Sequence, residues 1–176
     1  MFRVCHFLRK SSQLRASFLK NQVDSHERYI PFLIHRLNVA HDYDGGYADF
    51  SKSIVKLDLS KSEKRLDKFL YRYPKILSNH QAVQIRKFLT QNDIQIAHFH
   101  YGTDCGAFYP VLKKLHIPSV VSFYGYDISS FPKFLMGYGR RYLKNRVFRH
   151  VDKVLAMSPD MRNDLLEAGC PDHKII

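Results

Sequence analysis

Short apolar runs alternate with stretches of helical spacing along the whole chain. The runs are FRVCHFL, IPFLIHRL, SIVKLDL, IQIAHFH, IPSVVSFYG and KVLAM. Most do not alternate apolar with polar, so both faces of the strands they form are expected to be buried. Strands buried on both faces and separated by helices must lie parallel, because a parallel neighbour is reached only through a long crossover. The expected fold is therefore α/β: an open, doubly wound parallel sheet with helices on both faces, in one domain covering residues 1–176.

The intervening stretches carry helix signals. In SSQLRASFLKNQV, Leu14, Phe18 and Val23 fall on one face, with Ser11 or Ser12 available as N-cap. KSEKRLDKFLYRY and NHQAVQIRKFLTQ read as two helices broken near Pro74, and Gly45 and Gly46 as a loop. GAFYPVLKKLHI reads as a helix whose first turn must contain Pro110. FPKFLMGYGRRYLKNRVFRHV is a helix weakened by Gly137 and Gly139. SPDMRNDLLEAG has a full set of signals: Ser158 as N-cap, Pro159 at the first position, Asp160 in the first turn and Gly169 as stop. HKII then opens a further apolar run. A parallel strand at that point is expected to lead onward, so the chain is expected to be part of something longer.

A hydrophobic share of 45% excludes a disordered chain. The net charge of +12 points to an acidic partner, whether nucleic acid, an anionic membrane surface or a phosphorylated ligand. The apolar run Val4 to Leu8 is too short for a signal sequence, and no window approaches the ~18 apolar residues of a membrane span. Cys5, Cys105 and Cys170 are odd in number and far apart. They are expected to be free thiols in a reducing compartment, which places the chain in the cytoplasm, with a peripheral position at the inner membrane face left open.

In open parallel sheets, ligands bind beyond the carboxyl ends of the strands. Those ends carry Arg9, Lys10, Ser11 and Ser12; then His98 through Asp104; then Tyr124, Gly125, Tyr126 and Asp127; then Ser158. His98 and His100 share a strand face. Three roles stay open for them: a metal pair, polar strand-end residues bonded to backbone or water, and substrate binding. Zinc needs further ligands, and no second close ligand pair exists in the sequence, so no metal is expected.

Three strings occur in order: HFHYG, then VVSFYGYD, then KVLAMSPDMRNDLLEAGCPDHKII. Together they resemble the N-terminal domain of the retaining glycosyltransferases of family 4, whose fold is GT-B. His98, His100 and Gly102 match the first family pattern, with Tyr101 in place of Phe. Phe123, Gly125, Tyr126 and Asp127 match the second. Ser158, Met161, Arg162, Leu165 or Leu166, Gly169, Pro171, Lys174 and Ile175 match the third. The opening HFLRKSSQLRASFLKNQ also looks like members that build bacterial surface polysaccharides.

The resemblance implies a Rossmann-like N-terminal half that binds the acceptor. It implies transfer of a sugar from a nucleotide-sugar, bound mainly by a C-terminal half, to a glycan or lipid-linked acceptor in polysaccharide biosynthesis. The C-terminal half carries a Glu-x7-Glu motif in the family, and nothing in this chain matches it. No cofactor is implied beyond the nucleotide-sugar as co-substrate. The substrate-binding residues it implies are His98, His100, Gly102, Tyr124, Gly125, Asp127 and Ser158; no catalytic residue is assigned.

Two departures stand out. Tyr124 occupies the place of a family histidine, and a tyrosine cannot be a cation near neutral pH. The glycine-rich turn after the first strand is replaced by Arg9, Lys10, Ser11 and Ser12, where side-chain charge at a helix start could hold a phosphate. Arg9, Lys10 and Ser12 are therefore candidate phosphate contacts.

The stretch from Lys133 to Lys153 carries Lys133, Arg140, Arg141, Lys144, Arg146, Arg149 and Lys153 against the single acid Asp152. Phe134, Leu135, Tyr138 and Tyr142 form an apolar stripe on a helical wheel, while Lys133, Arg140 and Lys144 cluster elsewhere. One reading is a solvated surface helix. Another is contact with anionic lipid head groups, which suits a lipid-linked acceptor. A basic binding module for nucleic acid or membrane, without catalysis, is the alternative function. No recognition-helix, RNP or KH string supports nucleic acid.

Overall fold

The central strand β1 (Phe2–Lys10) has parallel neighbours on both sides. β2 (Tyr29–Leu37) and β3 (Val55–Asp58) extend the sheet in one direction. β4 (Ile96–His100), β5 (Ser119–Ser122) and β6 (Lys153–Leu155) extend it in the other. The order β3-β2-β1-β4-β5-β6, parallel throughout, is the open doubly wound sheet expected from the sequence. The chain winds outward from β1 to β3, then returns to start again at β4. The reversal point therefore lies between the carboxyl ends of β1 and β4, where such sheets leave a crevice. This computed structural model describes residues 1–24, 27–37, 54–72 and 75–176. The expected loop at Gly45 and Gly46 and the break at Pro74 lie outside them.

Helices cover both faces: α1 (Ser17–Asp24), α2 (Arg65–Arg72), α3 (Asn79–Gln91), α4 (Gly102–Phe108), α5 (Tyr126–Ser129), α6 (Phe134–Leu143) and α7 (Pro159–Glu167). The middle of β1 is buried on both faces, which is why its sequence does not alternate. Cys5 and Phe7 pack with Phe99, Phe108 and Ile85 in the larger core. Leu8 packs with Leu14, Leu19, Val23 and Leu33 in the smaller one. The three cysteines are free and buried, and burial raises the pKa of each thiol.

The helix signals hold with three differences. Ser158 caps α7 by accepting from the Met161 N–H, and Gly169 ends the segment at a φ of +94°. Pro110 sits at the start of a 3₁₀ turn that follows α4, instead of inside a continuous helix. Before α1, Ser11–Arg15 also form a 3₁₀ turn, with three residues per turn, so a 3.6-residue phase cannot be carried across it. Phe18 is accordingly exposed and Leu19 buried, and neither Ser11 nor Ser12 caps α1.

The third difference concerns α6. Met136 and Gly137 have φ of +51° and +91°, and a π-helical turn, Lys144–Phe148, follows the helix. A Cβ on Gly139 would lie 1.7 Å from the Phe131 carbonyl oxygen, so only glycine permits that approach. The expected stripe divides: Tyr142 is buried, whereas Phe134 and Tyr138 face solvent. The Leu135 side chain lies outside the described residues. Among the described residues, no helix is long and apolar enough to cross a membrane.

Candidate functional site

A cleft of about 430 Å³ opens over the carboxyl ends of β1, β4 and β5. β1 delivers Arg9 to it, and the β4–α4 turn delivers Tyr101, Thr103 and Asp104. The turn after β5 brings Tyr126 and Asp127, and the region around α6 adds Phe131, Phe134 and Tyr142. Gln13, Tyr71 and Lys75 complete the wall.

Asp104 is, with Asp127, one of two buried acids of the cleft, and 1% of its surface is exposed. Its Oδ1 accepts from the Tyr71 hydroxyl at 3.2 Å and lies 3.9 Å from Arg9 Nε. Burial pushes its pKa up to about 6, against the opposing pull of Arg9. Tyr71 is itself held from behind: the Arg36 guanidinium stacks 4.0 Å from its ring centroid and pairs with Glu63, both nearly buried. Charges thus alternate along a chain of contacts from Glu63 through Arg36, Tyr71 and Asp104 to Arg9. Burial also lowers the pKa of Lys75, at the rim, with Arg9 adding to the shift.

The turn that presents these groups is bent sharply. Tyr101 has a φ of +78°, a region costly for a residue with a Cβ. Its N–H still bonds the Ser122 carbonyl at 3.0 Å, so the bend is anchored to β5. Gly102 follows because a Cβ there would stand 2.4 Å from the Phe123 ring. Asp127 braces both turns: its carboxylate accepts from the Gly102 N–H at 2.8 Å and the Tyr124 N–H at 3.1 Å. Burial raises its pKa, opposed by those backbone bonds.

His98 and His100 lie below the cleft rim, not among its lining residues. Their partners come from across the sheet. His98 Nε2 contacts Ser122 Oγ at 2.7 Å. His100 Nδ1 contacts the Tyr124 hydroxyl at 2.7 Å, and its Nε2 lies 2.9 Å from His6 Nδ1. Tyr124 in turn donates to Gln22 Oε1 of α1 at 3.0 Å. Burial holds the His100 pKa well below its ordinary value, and His98 and His6 add to this. The pairing of His6 opposite His98 in the β1–β4 register is the feature the sequence reading missed. The sequence shows only the H-x-H pair; that a third histidine, His6, stands beside it is revealed only by the register.

The other sequence candidates scatter. Gly125 begins α5 at a φ of +120° with open space where a Cβ would be. Ser158 is spent as the α7 cap and is not part of the cleft wall. Of the three proposed phosphate contacts near the end of β1, Arg9 alone lines the cleft; Lys10 is the last residue of β1, and Ser12 lies in the 3₁₀ turn that follows. Lys133 and Arg140 line a second depression of about 460 Å³ together with Asp164 and Glu167. Arg140 donates to the Glu167 carbonyl there, and Lys144 is exposed nearby. That depression is larger but touches none of the residues at the ends of β1 and β4, so the cleft above them is the better functional candidate. Tyr71 and Tyr142 carry no sequence signal as cleft residues, because they reach the cleft from α2 and α6, whereas Tyr126 stands in the strand-end string. Asp104 stood in the strand-end string but carried no signal of its burial.

Residues 52–176 match the family described as Glycosyltransferase Family 4. No curated protein matches the sequence significantly. Among solved structures, the chain is similar to UDP-GlcNAc 2-epimerase from Neisseria meningitidis bound to UDP-GlcNAc, with a TM-score of 0.59 and 14% identity over 100% of this chain and 45% of that one. It is similar to the lipopolysaccharide outer core galactosyltransferase WaaB, with a TM-score of 0.59 and 11% identity over 99% and 44%. It is similar to sucrose-phosphate synthase from Thermosynechococcus elongatus, with a TM-score of 0.59 and 10% identity over 95% and 45%. At such identities the likeness is one of fold. The chain spans less than half the length of each of these three proteins.

Proposed function

This chain belongs to glycosyltransferase family 4, and from that premise we propose that it forms the acceptor-binding part of an enzyme that transfers a sugar from a nucleotide-sugar. Its fold is the Rossmann-like α/β half found at the N-terminus of GT-B proteins. The acceptor is a glycan or a lipid-linked sugar, and the nucleotide-sugar sits mainly on a part of the enzyme outside these residues. Transfer proceeds with retention at the anomeric carbon, as in the family the sequence resembles.

The observation that carries this reading is the composition of the cleft at the reversal point of the sheet. Aromatic rings from Tyr71, Tyr101, Tyr126, Phe131, Phe134 and Tyr142 surround two buried carboxyls, Asp104 and Asp127, and the cations Arg9 and Lys75. Aromatic walls suit the apolar faces of a sugar ring, and few fixed polar groups among them set its orientation. A carboxyl with a pKa near 6 can accept a hydrogen bond from an acceptor hydroxyl, and it lies in the range useful for taking a proton. Arg9 and Lys75 can meet a phosphate if the acceptor carries one.

The test is steady-state kinetics of the full-length enzyme with its sugar donor. Asp104→Asn should lower kcat by at least tenfold while the protein stays folded, and Arg9→Gln should raise the KM for acceptor. Unchanged kinetics in both variants would remove the cleft from the reaction.

A second feature favours placement at a membrane. Phe134, Met136 and Tyr138 of α6 are exposed, and so are Lys133, Arg140, Arg141 and Lys144, so the region around α6 offers both apolar and basic side chains to solvent. Phe134 also lines the cleft. A lipid-linked acceptor approaching along this region would reach the cleft directly, which supports a peripheral position at the inner, cytoplasmic face of the membrane.

A further inference from the structure

His6, His98 and His100 each offer one ring nitrogen, and these lie within 4.8 Å of one another. The sheet register makes this arrangement. His6 on β1 pairs directly with His98 on β4, and His100 follows two residues later on the same face. The ring centroids are 4.3–5.2 Å apart. His6 and His100 are buried, and His98 is partly exposed, so the group has one open side.

One of the rings, His100, is already oriented through its other nitrogen, and His98 is tethered as well. His98 Nε2 is held by the Ser122 hydroxyl, and His100 Nδ1 by the Tyr124 hydroxyl. Since Tyr124 gives its own proton to Gln22, the proton between Tyr124 and His100 belongs to His100 Nδ1. The Nε2 of His100 therefore presents a lone pair toward His6. A ring N–H held by an oxygen, with the other nitrogen directed into a shared space, is the outer-shell support that metal-bound histidines have.

We propose that His6, His98 and His100 form a binding site for a divalent transition-metal ion of the zinc, cobalt or nickel class, separate from the sugar cleft. Three imidazoles and no carboxylate select such ions over Mg²⁺ or Ca²⁺, which take oxygen ligands. The 2.9 Å contact between His6 and His100 is a hydrogen bond in the metal-free protein. Tetrahedral zinc with nitrogen at about 2.0–2.1 Å separates its ligands by about 3.3 Å, so these two rings must part by a few tenths of an ångström. The exposed side of His98 leaves a fourth position for water. The ion would tie β1 to β4 directly below the turn that presents Asp104.

The test uses the purified protein, stripped with a chelator and titrated with Co²⁺. The expected result is a visible ligand-field absorption that saturates at one ion per chain and is displaced by Zn²⁺. His6→Gln should abolish it. His98→Gln, at the partly exposed position, should weaken binding by about 10–100-fold without unfolding the chain, and Tyr124→Phe should do so by a similar factor through the lost support of His100. Circular dichroism confirms that each variant is folded. Absence of the absorption overturns the proposal, because the cluster is then only a hydrogen-bonded group. Absorption indifferent to both His98→Gln and Tyr124→Phe also overturns it, since exposed histidines such as His116 or His173 would then hold the ion.

Discussion

The Tyr71 hydroxyl donates to Asp104 Oδ1 across 3.2 Å, joining α2 to the first turn of α4 at the base of the cleft. One side of this contact is clamped by Arg36 and Glu63, the other faces Arg9. The pair fixes where a buried carboxyl stands in a cleft that is otherwise mostly aromatic.

Asp104 should imprint its pKa on stability. Its folded value of about 6 lies above the ordinary 3.8, so between these values the folded chain holds a proton that the unfolded chain releases. Stability to urea should therefore fall as pH rises from about 4 to about 6, by at most about 3 kcal/mol, and level off above. In Asp104→Asn this decline should vanish. An identical pH profile in the variant would show that the carboxyl titrates normally.

Asp127 acts as a brace. Removing its carboxylate in Asp127→Ala leaves the Gly102 and Tyr124 N–H groups without their partner, at about 1–3 kcal/mol each. Thermal unfolding should show a Tm lower by on the order of 10 °C. Asp127→Asn, which keeps one acceptor oxygen, should recover part of the loss. A Tm unchanged in Asp127→Ala would mean that water replaces the carboxylate at both amides.

Gly139→Ala should disrupt α6 locally, because its Cβ would meet backbone at 1.7 Å and backbone cannot swing aside as a side chain does. Gly137→Ala meets no neighbour but must adopt a φ of +91°, so it too should destabilise, by about 1 kcal/mol. Urea denaturation of the two variants compares a steric cost with a conformational one, and Gly139→Ala is expected to be the larger.

The basic surface of α6 gives a salt-dependent expectation. Binding to vesicles containing anionic lipid should be strong at low ionic strength and fade as the screening length shortens toward ~8 Å at physiological salt. Replacing Lys133, Arg140 and Lys144 together with glutamine should weaken it by up to ~1 kcal/mol per charge, with little change in Tm. RNA that displaces the protein from vesicles at equal charge would favour the nucleic-acid reading instead.

The strands and their parallel arrangement were legible from the sequence because both follow from local properties, whereas their order in the sheet came only from the structure. Apolar runs such as FRVCHFL need burial on both faces, and the helices between them force crossovers. The α7 cap at Ser158 and stop at Gly169 were legible for the same reason, since each acts within a few residues. The phase of α1 was not, because a 3₁₀ turn before it shifted the buried position from Phe18 to Leu19. The site lay further out of reach. His6 meets His100 across 94 residues, and Tyr71 meets Asp104 across 33, through register and helix packing that no local pattern encodes. The sequence by itself determined the strands, the crossovers and the sheet edge at which such folds bind ligands. Tertiary structure alone decided which side chains converge there, because burial, proton affinity and ligand geometry depend on neighbours brought together in space.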